Sequence, residues 1–346
     1  SSPVYIEFNQ QLITDRRAIC SLFNTYFTDI ANKLNNQKYC DSPPPPNDFR
    51  RFLGSRSCNS IFLYEIEPDE IIKIISGFNN NKSSDLCVRA IKHARHEIAP
   101  VLTQLFNDCM YSGIFPDELK IAKVIPLFKS GKRHDLSNYR PISILPLFSK
   151  IFEKLIHARL TSFFDTNNVL SENQFGFRRK HSTVHALNTA ISSITKSMND
   201  KSYSIGIFID FSKAFDTIKH DILLSKLEHY GIRGPALDLL TDYLTNRFQY
   251  VTLDGVCSDL LPISIGVPQG SVLGPLLFIL YINDICNCAS EAMFVLFADD
   301  TNVFISGSSI LEAQQIAERT LLMISKYLFA NYLHINVKKT KYIVFC

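Results

Sequence analysis

Three carboxylates in this 346-residue chain stand where their charge is costly. Asp210 ends the apolar run IGIFI, and Asp299-Asp300 follow MFVLFA without a break. An ionised carboxylate beside an apolar strand needs compensation, and two adjacent ones repel each other. One reading puts all three in turns, where aspartate is favoured. The other supplies a divalent cation: Mg²⁺ takes one or two protein carboxylates and fills its remaining positions with water and phosphate oxygens. If the strand ending at Asp210 lies beside the hairpin carrying Asp299, the two would flank a two-metal site. Such a site activates an attacking oxygen and stabilises a leaving one in phosphoryl transfer. Spacing alone leaves open whether a phosphodiester is built or cut. GVPQG at 266–270 reads as a loop entering a helix, with exposed N–H groups suited to phosphate or base contact.

The elements that must position these residues are legible as periodicity. Residues 204–210 read as a mainly apolar strand, followed by helical spacing over 213–229 and a helix opened by Gly234-Pro235. Residues 250–253 and 260–265, joined across Asp254-Gly255, suggest a hairpin. An apolar helix covers 271–285. Residues 293–298 and 301–306 form a second hairpin with Asp299-Asp300 at its turn. A helix with Ile310, Ala313, Ala317, Leu321, Ile324 and Leu328 on one stripe follows, then a strand at 341–345. This is the split-βαβ order of an antiparallel sheet backed by helices. Upstream, the first forty residues read as helix, the prolines of 41–47 as a linker, and 61–63 as a short strand. Pro68 opens a helix, 123–128 is a strand, and a helix runs from about 149.

Composition excludes several classes. Apolar residues make up 46% and charged ones 20%, which is ordinary globular usage. Nine scattered cysteines with no CxxC pair argue against a disulfide framework or zinc ribbon, and the pairs His93/His96 and His181/His185 lack a third ligand. No signal peptide opens the chain, and its longest apolar run, broken by Gly274-Pro275, is about half a membrane span. The expectation is a soluble intracellular protein without membrane contact, and a piece of something longer. Net charge is only +3, yet residues 120–180 hold twelve Lys or Arg against Asp135, Glu153, Asp165 and Glu172, a local +8. That asymmetry fits a polyanion-facing surface.

Seven ordered blocks carry a family likeness. NYRPIS (138–143), LFSKIFEKLIHARL (147–160), QFGFR (174–178), IDFSKAFDTIKH (209–220), GVPQGSVLGPLLFILYIND (266–284), FADD (297–300) and NVKKT (336–340) resemble the reverse transcriptases of non-LTR, jockey-like retrotransposons. The likeness covers about 61–346, and FNTYFTDIANKL (23–34) resembles the segment upstream of the polymerase in such elements.

The resemblance implies an α+β right-hand polymerase. It would have a helical extension and Pro-rich linker over 1–60, fingers over 61–203, and a palm with the catalytic carboxylates on an antiparallel sheet over 204–346, with the thumb absent. It implies copying of an RNA template onto a DNA primer from dNTPs with Mg²⁺ (or Mn²⁺), at chromosomal targets in the nucleus. Asp210 and Asp299 would hold the metals, helped by the Phe211 carbonyl, with Asp300 beside them. Phe215 would exclude a ribose 2′-hydroxyl. Gln269 and Gly270 would contact incoming nucleotide and template, Arg140 and Lys123 the triphosphate, and Lys339 the leaving pyrophosphate. Gln174, Phe175, Gly176, Phe177 and Arg178 fall in a basic, aromatic segment suited to template binding. For Phe215 a core position, and for Lys123 and Lys339 an ordinary surface position, are the alternatives. NKSSDLCVRA (81–90) departs from the family's glycine-bearing stretch, and the chain has no Trp. An inactive nucleic-acid-binding fragment or relic of such an element is the competing reading; a two-metal nuclease leaves GVPQG and QFGFR unexplained.

Overall fold

The computed structural model describes residues 3–39, 42–79 and 88–345; residues 81–87 of the divergent stretch lie outside them. The chain opens with a hairpin, β1 (Ile6–Phe8) and β2 (Gln11–Ile13), where helix was expected. Asn9 and Gln10 both take positive φ, as a two-residue hairpin turn requires. The helix α1 (Arg16–Tyr39) follows with the expected stripe, Ile19, Phe23, Phe27 and Ile30 being buried. Residues 61–63 form no strand. Pro68 lies in the first turn of α2 (Pro68–Ser76), beside a capping box between Glu67 and Glu70.

Two helices not expected come next, α3 (Val88–His93) and α4 (Arg95–Ser112). In α4 the apolar residues sit on both faces, Leu102 and Phe106 buried but Val101 and Leu105 exposed, so no single stripe marks it. Then come β3 (Ile121–Phe128), β4 (Tyr139–Ile144), α5 (Leu147–Thr166), α6 (Thr183–Asn199) and β5 (Tyr203–Ile209). The helix expected over 213–229 is shorter, α7 (His220–His229). Lys213 turns left-handed at φ 54° and Thr217 Oγ1 bonds back to its carbonyl, which closes a separate short turn first. After α8 (Pro235–Leu244) come β6 (Arg247–Leu253), β7 (Val256–Cys257) and β8 (Leu261–Ile263). The order closes with α9 (Leu273–Tyr281), β9 (Met293–Phe297), β10 (Asp300–Gly307), α10 (Ile310–Ala330) and β11 (Lys341–Phe345). Among the described residues no helix is long and apolar enough to cross a membrane.

The chain divides into two compact units. The first comprises residues up to 33, 59–163 and 231–274. Its sheet has the order β4-β3-β6-β7, with β8 also on β6; β3 runs parallel to β6 and the other pairings are antiparallel. Phe23, Val124, Tyr139 and Val251 centre its core. Lys120 and Arg159, two of the twelve cations counted over 120–180, are buried here. Lys120 bonds Asp117 and Asp242 at 2.8 and 3.0 Å, and Arg159 bonds Glu70 and the Tyr64 and Glu65 carbonyls. A buried cation needs such partners, so the +8 overstates the charge that faces solvent.

The second unit comprises residues 34–58, 164–230 and 275 onward. It is built on the antiparallel sheet β11-β5-β10-β9, with α10 against β5 and β10 and α6 against β9, β5 and β10. Register pairs Ile205, Ile207 and Ile209 with Ile305, Val303 and Thr301, all buried. Behind the sheet, fully buried Lys226 on α7 donates at 2.6 Å both to the Tyr281 carbonyl and to Asp284, which also accepts from the Tyr327 hydroxyl at 2.9 Å. Burial pulls the Lys226 ammonium below the ordinary lysine range, against the attraction of Asp284. Lys226→Met therefore leaves a buried carboxylate without its cation and costs about 3–5 kcal/mol, read as a lower denaturation midpoint at unchanged slope. Lys226→Met/Asp284→Leu recovers most of that loss; a double variant as unstable as the single would show that the pair does not carry this stability.

Candidate active site

The sheet of the second unit gathers the acids at one end. Thr301 pairs with Ile209 and Asn302 with Phe208, so Asp300 comes opposite Asp210 one step further on. Side chains alternate along strands, which puts Phe208, Asp210, Asp300 and Asn302 on one face. Ala186, Ala190 and Ile194 of α6 cover this face around Val295, Phe304 and Phe208. The end carrying the acids stays open. There a pocket of about 400 Å³ is lined by Asp210, Asp300, Asn302, Lys338, Lys339 and Lys341.

The hairpin turn falls one residue earlier than expected. Phe297 pairs with Asp300, which leaves Ala298 and Asp299 as the central residues and Asp300 on the strand. Ala298 has φ 57°, a position where two-residue hairpins favour glycine. Burial, then repulsion from Asp299 and Asp210, pushes the Asp300 carboxyl above the ordinary aspartate range.

Backbone contacts fix the Asp210 side of the site. The Asn336 N–H donates to the Asp210 carbonyl at 2.8 Å, and the Ser212 N–H to the His334 carbonyl at 2.8 Å. These two bonds flank an antiparallel bridge between Phe211 and Ile335 and do not use the Phe211 carbonyl. NVKKT is thus strapped to the strand end, and Lys339 Nζ stands 3.4 Å from Asp210 Oδ2. Phe215 is half-buried, its ring 4.7 Å from that of Phe278.

QFGFR meets the hairpin from its other side. Phe175 N–H donates to the Leu296 carbonyl and Leu296 N–H to the Asn173 carbonyl, both at 2.8 Å. Gln174 is buried and Gly176 lies against the Ala298 backbone. Phe175 is half-buried near His181, Phe177 is exposed, and Arg178 donates to the Ser171 carbonyl at 2.7 Å. The inward role of Gln174 was not read from the sequence; its only signal is a polar residue leading an otherwise aromatic and glycine block.

The remaining residues belong to the first unit. Lys123 and Arg140 are exposed on one face of the β3–β4 ribbon, because Leu127 pairs with Arg140 and shares the parity of Lys123. Four residues of strand separate them, about 13–14 Å. Gln269 and Gly270 lie beside β4: Ser143 N–H donates to the Gln269 carbonyl at 2.8 Å, and a Cβ on Gly270 would stand 2.5 Å from the Ser143 oxygen. Gly270 also has φ +123°, so only glycine fits. Glu153, another residue that sequence reading passed over, accepts from the Val272 and Leu273 N–H groups at 2.6 and 3.0 Å and so caps α9. Burial pushes its carboxyl up, against those N–H groups and Arg247. An acid inside the apolar stripe of IFEKLI was the available sign.

Among the described residues no three His, Cys, Asp or Glu side chains close on a metal by themselves. Mg²⁺ sites of the phosphoryl-transfer kind need only one or two carboxylates. Hard oxygen donors, an open pocket, and an Asp300 crowded by Asp299 and Asp210 fit such an ion. Because Asp300 holds its proton more tightly folded than unfolded, its ionisation costs stability as pH rises through the window above about 3.9. Asp300→Asn thus raises the Tm of the metal-free protein at neutral pH, and the gain vanishes below that window. A Tm gain independent of pH would contradict the electrostatic cause.

Residues 129–344 match the family described as reverse transcriptase (RNA-dependent DNA polymerase). The chain is 34% identical over 245 residues to a probable RNA-directed DNA polymerase from transposon X-element of Drosophila melanogaster, covering 68% of this chain and 27% of that protein. It is 33% identical over 274 residues to the RNA-directed DNA polymerase from mobile element jockey of the same species, covering 76% and 30%. Against the probable polymerase from transposon BS the figures are 31% over 292 residues, 81% and 32%. The chain thus spans about a third or less of these relatives. With seven blocks in order and its acids at one sheet end, it belongs to the reverse transcriptase family, of the non-LTR retrotransposon type.

Proposed function

We propose that this chain is the catalytic core of an RNA-directed DNA polymerase, adding dNTPs to a DNA primer on an RNA template, with the second unit as palm and the first contributing fingers. One observation carries the reading: Asp210 and Asp300 come opposite each other at the open end of an antiparallel sheet, with Asp299 in the adjoining turn, in a chain of this family. Asp210 and Asp299, with the Phe211 carbonyl, would hold Mg²⁺ (or Mn²⁺), with Asp300 beside them. Ions held there would lower the pKa of the primer 3′-hydroxyl and neutralise charge on the leaving pyrophosphate.

The chain's own residues supply position and selectivity. Lys339, now paired with Asp210, gives up that contact and can donate a proton to pyrophosphate. Phe215, braced by Phe278, presents a ring edge to the sugar. Gln269 and Gly270 contact the incoming nucleotide and template through a loop held by Ser143. Arg140 and Lys123, both exposed on one ribbon face, would grip the triphosphate, Arg140 in bidentate fashion. The exposed Lys129, Lys132 and Arg133 between β3 and β4, and Phe177, Arg178 and Arg179, suit the template backbone. A nuclear place of action completes the proposal.

Primer extension on oligo(dT)-primed poly(rA) with Mg²⁺ tests it. The unmodified chain extends the primer; Asp210→Ala and Asp299→Ala/Asp300→Ala lose on the order of 10³-fold or more, since each ~1.4 kcal/mol of transition-state stabilisation is tenfold. Salt-dependent binding of the primer–template by a folded chain that adds no nucleotide would instead favour an inactive relic. Phe215→Ala lets ribonucleotides in, narrowing the dNTP preference about tenfold or more in kcat/KM; an unchanged ratio would return Phe215 to the core.

A further inference from the structure

We propose that Gln174 is a positioning residue for the carboxylates: its side-chain carbonyl holds the Ala298–Asp299 turn in the backbone conformation that sets Asp300 opposite Asp210, with Asp299 beside it in the turn. The inference rests on the polymerase reading for its catalytic consequence, but the turn geometry stands apart from it.

Gln174 is 1% exposed. Its Oε1 accepts from two backbone donors, the Gly176 N–H at 2.8 Å and the Ala298 N–H at 3.1 Å. Among the described residues its Nε2 has no partner, so the acceptor oxygen is the part in use. The residue so bonded, Ala298, sits at φ 57°. An L-residue with a Cβ reaches that region only at a cost and stays there when its surroundings fix it. Three contacts supply the fixing. The Gln174 oxygen takes the Ala298 N–H. The Leu296 backbone is bonded on both sides to Asn173 and Phe175, forming a parallel bridge. Gly176 has no side chain where a Cβ would fall on the Ala298 nitrogen. Without the oxygen, two buried N–H groups lose their acceptor and Ala298 can relax to negative φ. Asp299 and Asp300, the next two residues, would swing with it. Gln174 therefore acts through the turn and touches neither nucleotide nor template.

The test compares the unmodified chain with Gln174→Met, which keeps the length and removes the oxygen, with Ala298→Gly, which removes the φ penalty, and with the double variant. Gln174→Glu, keeping an acceptor of the same reach, serves if Gln174→Met fails to fold. The first readout is hydrogen exchange in the peptide spanning 294–302: slow in the unmodified chain and in Gln174→Glu, at least tenfold faster in Gln174→Met. The second is the kinetic split in primer extension. Gln174→Met lowers kcat on the order of 10–100-fold, the cost of about 1 Å of misplacement, with the dNTP KM within about twofold. Ala298→Gly added to Gln174→Met restores much of kcat, because glycine adopts the turn unaided. Unchanged exchange in folded Gln174→Met overturns the proposal, as does a loss confined to KM or one that Ala298→Gly leaves untouched. If the unmodified chain adds no nucleotide yet exchange at 294–302 still responds to Gln174→Met, the polymerase reading fails and the turn contact survives.

Discussion

The pairing of β5 with β10 decides where three negative charges end up. Side chains alternate with a period of two, so a slip of one residue would send Ile205, Ile207 and Ile209 away from the α10 face and carry Asp300 to the opposite side from Asp210. Burial of the isoleucine ladder holds the register, since each fully buried side chain of that size is worth about 1.5–3 kcal/mol. Repulsion among the acids at the sheet end is smaller in water-exposed surroundings, and the ladder tolerates it. The site is thus a local fault held in place by apolar packing further along the same strands.

That division of labour explains what was legible beforehand. IGIFID and MFVLFADD announce both the strands and the costly acids, because apolar runs and terminal carboxylates are local patterns. Asp-Asp looks like turn chemistry, whereas Ala-Asp does not, so the sequence points to a turn one residue later than the one that forms. What moves the turn to Ala298 and Asp299 is non-local: the Gln174 oxygen lies more than a hundred residues upstream. The opening hairpin is illegible in the sequence for a different reason. Asn9 and Gln10 do not form one of the strong two-residue turn signals, and three-residue strands are too short for alternation to register.

Charges inside apolar stretches were visible, but their partners were not. Asp284 closes the apolar run LLFILYIND, and nothing nearby in sequence names Lys226 or Tyr327 as its neutralisers. The same holds for Glu153 with the N–H groups of α9, and for Lys120 and Arg159, which count as surface charge until Asp242 and Glu70 are found beside them. A sequence gives the sign and approximate burial of such groups; whether they face a polyanion or a counter-charge is a tertiary fact.

The two glycine-bearing blocks share one device. Gly270 has no Cβ because the Ser143 carbonyl stands there, and Gly176 has none because the Ala298 nitrogen does. In each case a neighbouring segment, β4 for the first and the FADD hairpin for the second, approaches backbone to backbone. Close approach of this kind fixes a loop more tightly than side-chain packing, because peptide groups have no rotamers to yield. NYRPIS therefore stands to GVPQG as QFGFR stands to FADD: in each pair one block holds the main chain of the other. Substitution at either glycine acts first on geometry, and any loss of nucleotide or template contact follows from that displacement.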